Sequence, residues 1–206
     1  MFVIGLTGGI GTGKTQVSEM LEKLGAAIVN ADLLGHQVYL PQSEGWREVV
    51  DTFGQEILTP EGEIDRRKLG PIVFGDPEAL NKLNAITHPK IHGLAEDSLR
   101  RLAEQGREVA VLEAALLIEA KWTGLVDEVW VTTAPVQDVV RRIQERNGLD
   151  EEAIRSRISS QMPQEERVTH ADVIVENAGD LIELGNKIQE LWDRRVATHK
   201  ESRRKR

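Results

Sequence analysis

The sequence contains no cysteine, which removes disulfides, thiolate catalysis and cysteine zinc sites together. No run approaches the roughly 18 consecutive apolar residues that a membrane-spanning helix needs. The first residues carry neither the basic region nor the apolar stretch of a secretory leader. These absences make the cytoplasm the expected compartment, with no membrane partner expected. Positive charge is in short supply as well: 26 Lys and Arg against 34 Asp and Glu leave a net charge of −8, which argues against general nucleic-acid binding. The five histidines lack metal-ligand spacing; His88 and His92 are four apart, but Pro89 sits between them, so the pair reads as structural or incidental. There is no internal repeat and no low-complexity segment. The one basic stretch, residues 200–206, reads as a solvated, disordered tail.

What is present is an alternation of two periods. Short runs rich in valine and isoleucine predict buried parallel strands at Phe2–Leu6, Ala27–Asn30, Glu108–Glu113, Glu128–Thr132 and Asp172–Glu176. Helical patterns separate them. Lys14–Leu24 ends at Gly25, and Pro89–Gln105 opens with proline at the first helical position and ends at Gly106. Val136–Arg146 and Leu181–Val196 fit the same period. Such alternation implies a doubly wound α/β sheet, and 206 residues with 40% apolar content suffice for one such core with modest insertions. The core is expected over residues 1–33, 108–146 and 171–199. Residues 34–107 contain no good strand and read as a helical insert, and residues 147–170 read as a second, polar insert.

Gly8-Gly9-Ile10-Gly11-Thr12-Gly13-Lys14-Thr15 matches the phosphate-loop pattern G-x-x-x-x-G-K-[ST], with a strand before it and a helix after it. Phosphate oxygens must approach backbone N–H groups without a Cβ in the way, which is the purpose of Gly8, Gly9, Gly11 and Gly13. The helix that follows aims its positive end at the phosphates. Lys14 is expected to reach the β- and γ-phosphates of ATP, the Thr15 hydroxyl to ligate Mg²⁺, and the Gln16 N–H to reach the α-phosphate, with Thr12 also in the binding loop. A dinucleotide fingerprint does not fit, because Lys14 stands where its third glycine is required. No N-K-x-D follows to read guanine, which leaves the GTPase reading weak.

Two carboxylates stand at strand ends, where ligands bind in doubly wound sheets. The second strand runs into Asn30 and Asp32, and Asp32 is either a proton acceptor beside the γ-phosphate or the N-cap of the next helix. Glu113 closes the run Val109–Leu112; it either holds magnesium through water or is a buried structural carboxylate. Arg142 and Arg146 are four apart on one helical face, suited to phosphate by the planar guanidinium fork or else part of a solvated charged face.

These residues together resemble the dephospho-CoA kinase family. The loop Leu6–Lys14, a second strand ending in Asn30-Ala31-Asp32 where the family has D-A-D, Ile64–Leu69 followed by Phe74, and Leu83–Pro89 against L-x-x-I-x-H-P all occur in order. Val111–Glu119 is similar to the family's third strand and P-L-L-x-E, with Ala115 in place of proline. Arg142-x-x-x-Arg146 with Arg157–Gln161 resembles its lid, and Ala171–Asn177 its last strand. The resemblance implies a P-loop NTPase-type fold with a helical acceptor-binding insert at 34–107 and a helical lid at 147–170. It implies Asp32 as catalytic base, Asn177 near the adenine of ATP, and Arg66 and His88 in the acceptor domain. His88 would touch the acceptor or cap the helix from Pro89. The implied reaction moves the γ-phosphoryl group of ATP to dephospho-CoA, with no protein partner. The rivals are another small metabolite kinase and a nucleotide-dependent switch.

Overall fold

A computed structural model describes residues 1–204. Strand β1 (Phe2–Gly8) leads through the glycine-rich loop into α1 (Lys14–Lys23), and β2 (Ala27–Asn30) follows. Helices α2 (Ala31–Val38), α3 (Glu44–Phe53), α4 (Arg66–Gly75) and α5 (Pro77–Glu104) come next. Then come β3 (Val109–Glu113), β4 (Glu128–Thr133), α6 (Val136–Asn147), α7 (Glu151–Ser159), α8 (Gln164–Val168), β5 (Val173–Glu176) and α9 (Leu181–Arg204). The chain divides into two compact units, residues 1–29 with 99–206, and residues 30–98.

The five strands form one sheet in the order β2-β3-β1-β4-β5, as expected of a doubly wound α/β core. Strand β1 lies parallel to β3, with Leu6 opposite Glu113, and parallel to β4, with Gly8 opposite Thr132. Every residue of β1 and β3 is buried, which is why these strands read as continuous apolar runs. Ile4, Leu6, Val111 and Trp130 pack with Val17 and Leu21 of α1 and with Leu184 and Ile188 of α9. In the second unit, Val49, Ile57, Leu69, Val73 and Leu83 make a separate small core.

Two helices depart from the expected boundaries. Pro89 does not start a helix; it lies inside α5, whose first residue is Pro77. The N-terminal signal belongs to Asp76, whose Oδ1 accepts from the Glu78 N–H at 2.9 Å. A proline in the interior removes one i→i−4 bond, and 28 residues of helix tolerate that loss. His88 is therefore helical rather than extended, and its expected role as a cap is withdrawn. At the other end, α9 continues to Arg204 because neither glycine nor proline interrupts residues 197–204. The tail expected to be disordered from residue 200 is thus helical as far as Arg204; residues 205 and 206 lie outside the described residues.

Candidate active site

The phosphate loop is held from below by its own polar side chains. Thr12, 4% exposed, turns its hydroxyl inward, 2.8 Å from the Gly9 carbonyl and 2.7 Å from Thr132 Oγ1. Thr132 in turn donates to the Thr7 carbonyl at 3.2 Å. The Thr12 side chain is thus committed to shaping the loop and does not line the cavity above it. Gly13 caps α1 with φ +96°, in the left-handed region, and a Cβ there would collide with Asn177 Nδ2. Gly11 is similarly confined: at φ +73° a Cβ would lie 2.9 Å from Val139.

Over this loop opens a cavity of about 1050 Å³, whose lining includes Gly8, Gly9, Gly11, Gly13, Lys14, Thr15, Gln16, Arg142, Arg146 and Asn177. Residues far apart in sequence thus meet at the start of α1, whose N-terminal amides favour an anion. Lys14 Nζ lies 2.8 Å from Oε1 of Glu113, which is 4% exposed at the end of β3. The carboxylate anticipated as a strand-end residue is thus the partner of the loop lysine.

Asn177, just beyond β5, is a brace. Its Nδ2 donates to the Thr12 carbonyl at 3.0 Å, and its backbone N–H donates to Thr133 O at 2.8 Å. Arg142 Nη2 donates to Asn177 O at 3.0 Å and to Asn177 Oδ1 at 3.2 Å. Arg142 is part-buried and its Nη1 is buried without a hydrogen-bond partner. Arg146, one turn along α6, is exposed and donates to Asn147 Oδ1 at 2.9 Å. Gln161, quoted above only as part of a lid pattern, accepts from the Ile10 N–H at 2.8 Å and also lines the cavity. These two residues are 151 positions apart, so no local pattern could have paired them.

Asp32, Arg66 and His88 belong to the second unit. Asp32 lies in the first turn of α2, and the cap is Asn30, whose Oδ1 accepts from Leu33 N at 3.0 Å. The capping alternative for Asp32 therefore passes to Asn30. Arg66 is the first residue of α4, behind the N-cap Asp65. Its Nη1 is 3.2 Å from His36 Nε2, and its Cζ is 5.7 Å from the centre of the Tyr39 ring. Because a guanidinium only donates, His36 Nε2 is the acceptor in this hydrogen bond. Burial raises the Tyr39 hydroxyl pKa, opposed in part by Arg66. Burial likewise lowers that of His88, which is half-buried in α5 and so favours its neutral form.

Magnesium would be held by oxygen; the loop offers the Thr15 hydroxyl, and the Glu113 carboxylate stands beside it at the end of β3, paired with Lys14. Among the described residues no cluster of three His, Asp or Glu could hold a metal alone.

A family model for dephospho-CoA kinase matches residues 2–183. The chain is 46% identical over 195 residues to the dephospho-CoA kinase of Geobacter sulfurreducens, covering 95% of this chain and 99% of that one. Among solved structures, TT1252 from Thermus thermophilus superposes with a TM-score of 0.79 at 32% identity, covering 94% and 97% of the two chains. The dephospho-CoA kinase from Campylobacter jejuni does so with a TM-score of 0.72 at 26% identity, covering 96% and 98%. The chain belongs to the dephospho-CoA kinase family.

Proposed function

We propose that this chain transfers the γ-phosphoryl group of ATP to the ribose 3′-hydroxyl of dephospho-CoA, giving ADP and coenzyme A. The observation that carries the reading is the cavity over the phosphate loop, with Lys14 held by Glu113 at one end and Arg142 clamped to Asn177 at its wall. The loop amides and Lys14 bind the phosphates, and Gln16 N–H serves the α-phosphate. Arg142 and Arg146 add positive charge as the transferring group develops negative charge. Mg²⁺, held by the Thr15 hydroxyl and through water by Glu113, would supply neutralisation of the phosphates. Asp32 accepts the proton of the 3′-hydroxyl as its oxygen bonds to the γ-phosphorus and the bond to the β-phosphate oxygen breaks. Residues 34–107, with Arg66 and His88, hold the acceptor, and residues 147–170 act as the lid. No described helix is long and apolar enough to cross a membrane, and the reading places the enzyme in the cytoplasm, without nucleic-acid or protein partners.

The test is a panel of acceptors incubated with labelled ATP and magnesium. Label is expected in coenzyme A when dephospho-CoA is supplied. Label in shikimate, nucleosides or nucleotides instead would shift the assignment to another metabolite kinase, and hydrolysis indifferent to acceptor would indicate a switch.

A further inference from the structure

The side-chain amide of Gln161 has a defined orientation. The Ile10 N–H can only donate, and it lies 2.8 Å from Gln161 Oε1, so the oxygen faces the loop. The two N–H donors of Nε2 are then on the other side of the amide. They have no hydrogen-bond partner among the described residues and are not buried, and Gln161 lines the cavity.

The base beneath Gln161 is firm. Arg167, 2% exposed, donates to the carbonyl of Met162 at 3.4 Å and to that of Ala115 at 3.3 Å, and pairs with Glu119 at 3.0 Å. Just before Gln161, Ile154 and Ile158 of α7 pack with Ile10 and Ile143. Ile10 is thus held by its amide and by its side chain, both from the segment expected to be a lid.

Arg167 links the residue after Gln161 to Ala115, and Ala115 follows two positions after Glu113, the partner of Lys14. Gln161 also lies over the first residues of the phosphate loop, where a Cβ added to Gly9 would be 3.5 Å from its Oε1, and the exposed Leu181 and Ile182 line the same cavity.

We propose that Gln161 is a phosphate-binding residue whose Nε2 donates to an oxygen of the terminal phosphate of ATP while its Oε1 fixes Ile10. This rests on reading the cavity as the ATP site. A neutral donor braced at its oxygen offers the terminal phosphate a hydrogen bond without another ion to desolvate.

Gln161→Glu separates the two halves of the amide: it keeps an acceptor for Ile10 and replaces the donors with negative oxygen. Gln161→Met removes both. Binding of ADP and of an ATP analogue with a non-hydrolysable β–γ bridge is measured by calorimetry, with melting temperature as the fold control. In Gln161→Glu, affinity for the analogue should fall about tenfold or more while ADP changes by less than about threefold. Gln161→Met should lose the same preference for the analogue. A wild-type ratio of analogue to ADP affinity in Gln161→Glu overturns the proposal and leaves Gln161 as a loop brace. If Gln161→Glu fails to fold, the ratio in Gln161→Met decides in the same way. No acceptor enters the measurement, so failure of the dephospho-CoA assignment, read from transfer by the wild-type protein, is seen separately.

Discussion

Lys14 and Glu113 face each other at 2.8 Å with side chains only 15% and 6% exposed. Water and salt screen such a pair less than a surface pair. The carboxylate at the end of β3 keeps the ammonium at the loop, so the pair joins the lysine proposed to act on the phosphates to part of the local stability.

Lys14→Ala should therefore do two things. Turnover should fall on the order of 10²-fold or more, because the charge opposing the developing phosphate charge is gone. Melting temperature should also fall, because a nearly buried carboxylate loses a charged partner. Adding Glu113→Gln should restore much of the melting temperature and none of the activity. Near-normal turnover by folded Lys14→Ala would remove the phosphate-loop assignment.

Asn30 caps α2, so the cap alternative for Asp32 falls away and the proposed proton transfer remains to be tested. Asn30→Ala removes the cap of α2 and should cost about 0.5–2 kcal/mol in denaturant unfolding. Asp32→Asn should leave stability nearly unchanged and slow turnover by ~10²–10⁴-fold, the range for a positioned base. Normal turnover by Asp32→Asn would end the proposal that it takes the proton.

Arg142 and Arg146 of α6 should differ. Arg142 bonds twice to Asn177, so Arg142→Ala should weaken ATP binding and also cost on the order of 1 kcal/mol. Arg146 is exposed and among the described residues bonds only to its neighbour Asn147, so Arg146→Ala should change stability by less than about 0.5 kcal/mol. Equal stability losses in paired thermal melts would contradict this division.

His88 supplies a pH dependence. Burial holds its pKa below the ordinary 6.5, so the unfolded chain takes up this proton more readily than the folded one. The stability it contributes is complete above about 6.5 and is lost as pH falls through the lower folded value. His88→Gln should flatten the acid limb of a melting profile taken from about pH 8 down to about pH 5. An unchanged limb would mean that other groups set it.

The sheet was legible because its strands are short valine- and isoleucine-rich runs between turn signals, and Ala27–Asn30 has the same bounds in sequence and structure. The phosphate loop was legible because its chemistry is local: glycines, lysine and threonine at fixed spacing. Pro89 misled because proline at a first helical position and proline inside a long helix look alike without the rest of the fold. The true start, Asp76-Pro77, carried the same signal earlier in the chain. The brace formed by Asn177, Thr12 and Arg142, and the bond from Ile10 to Gln161, join residues 35 to 165 positions apart. No periodicity encodes such pairs. His36 and Tyr39 escaped notice for the same reason, since only folding sets them beside Arg66.

The last prediction concerns the acceptor. Arg66 is held by His36 on one side and the Tyr39 ring on the other, at the start of a helix whose first-turn amides also favour anions. A guanidinium fixed in this way loses less freedom on binding a phosphate than one on a loose chain. Dephospho-CoA carries a pyrophosphate and a pantetheine arm away from the reacting hydroxyl, and binding energy from such groups can position that hydroxyl. It should therefore be phosphorylated with a far higher kcat/KM than adenosine or AMP under Mg-ATP. Arg66→Ala should raise KM for dephospho-CoA about tenfold or more and leave KM for ATP nearly unchanged. The same substitution should barely affect the slow reaction with adenosine, which has no pyrophosphate to lose. Equal kcat/KM for adenosine and dephospho-CoA in the wild-type protein would remove the acceptor assignment. A rise in KM for ATP alone would place Arg66 with the nucleotide instead.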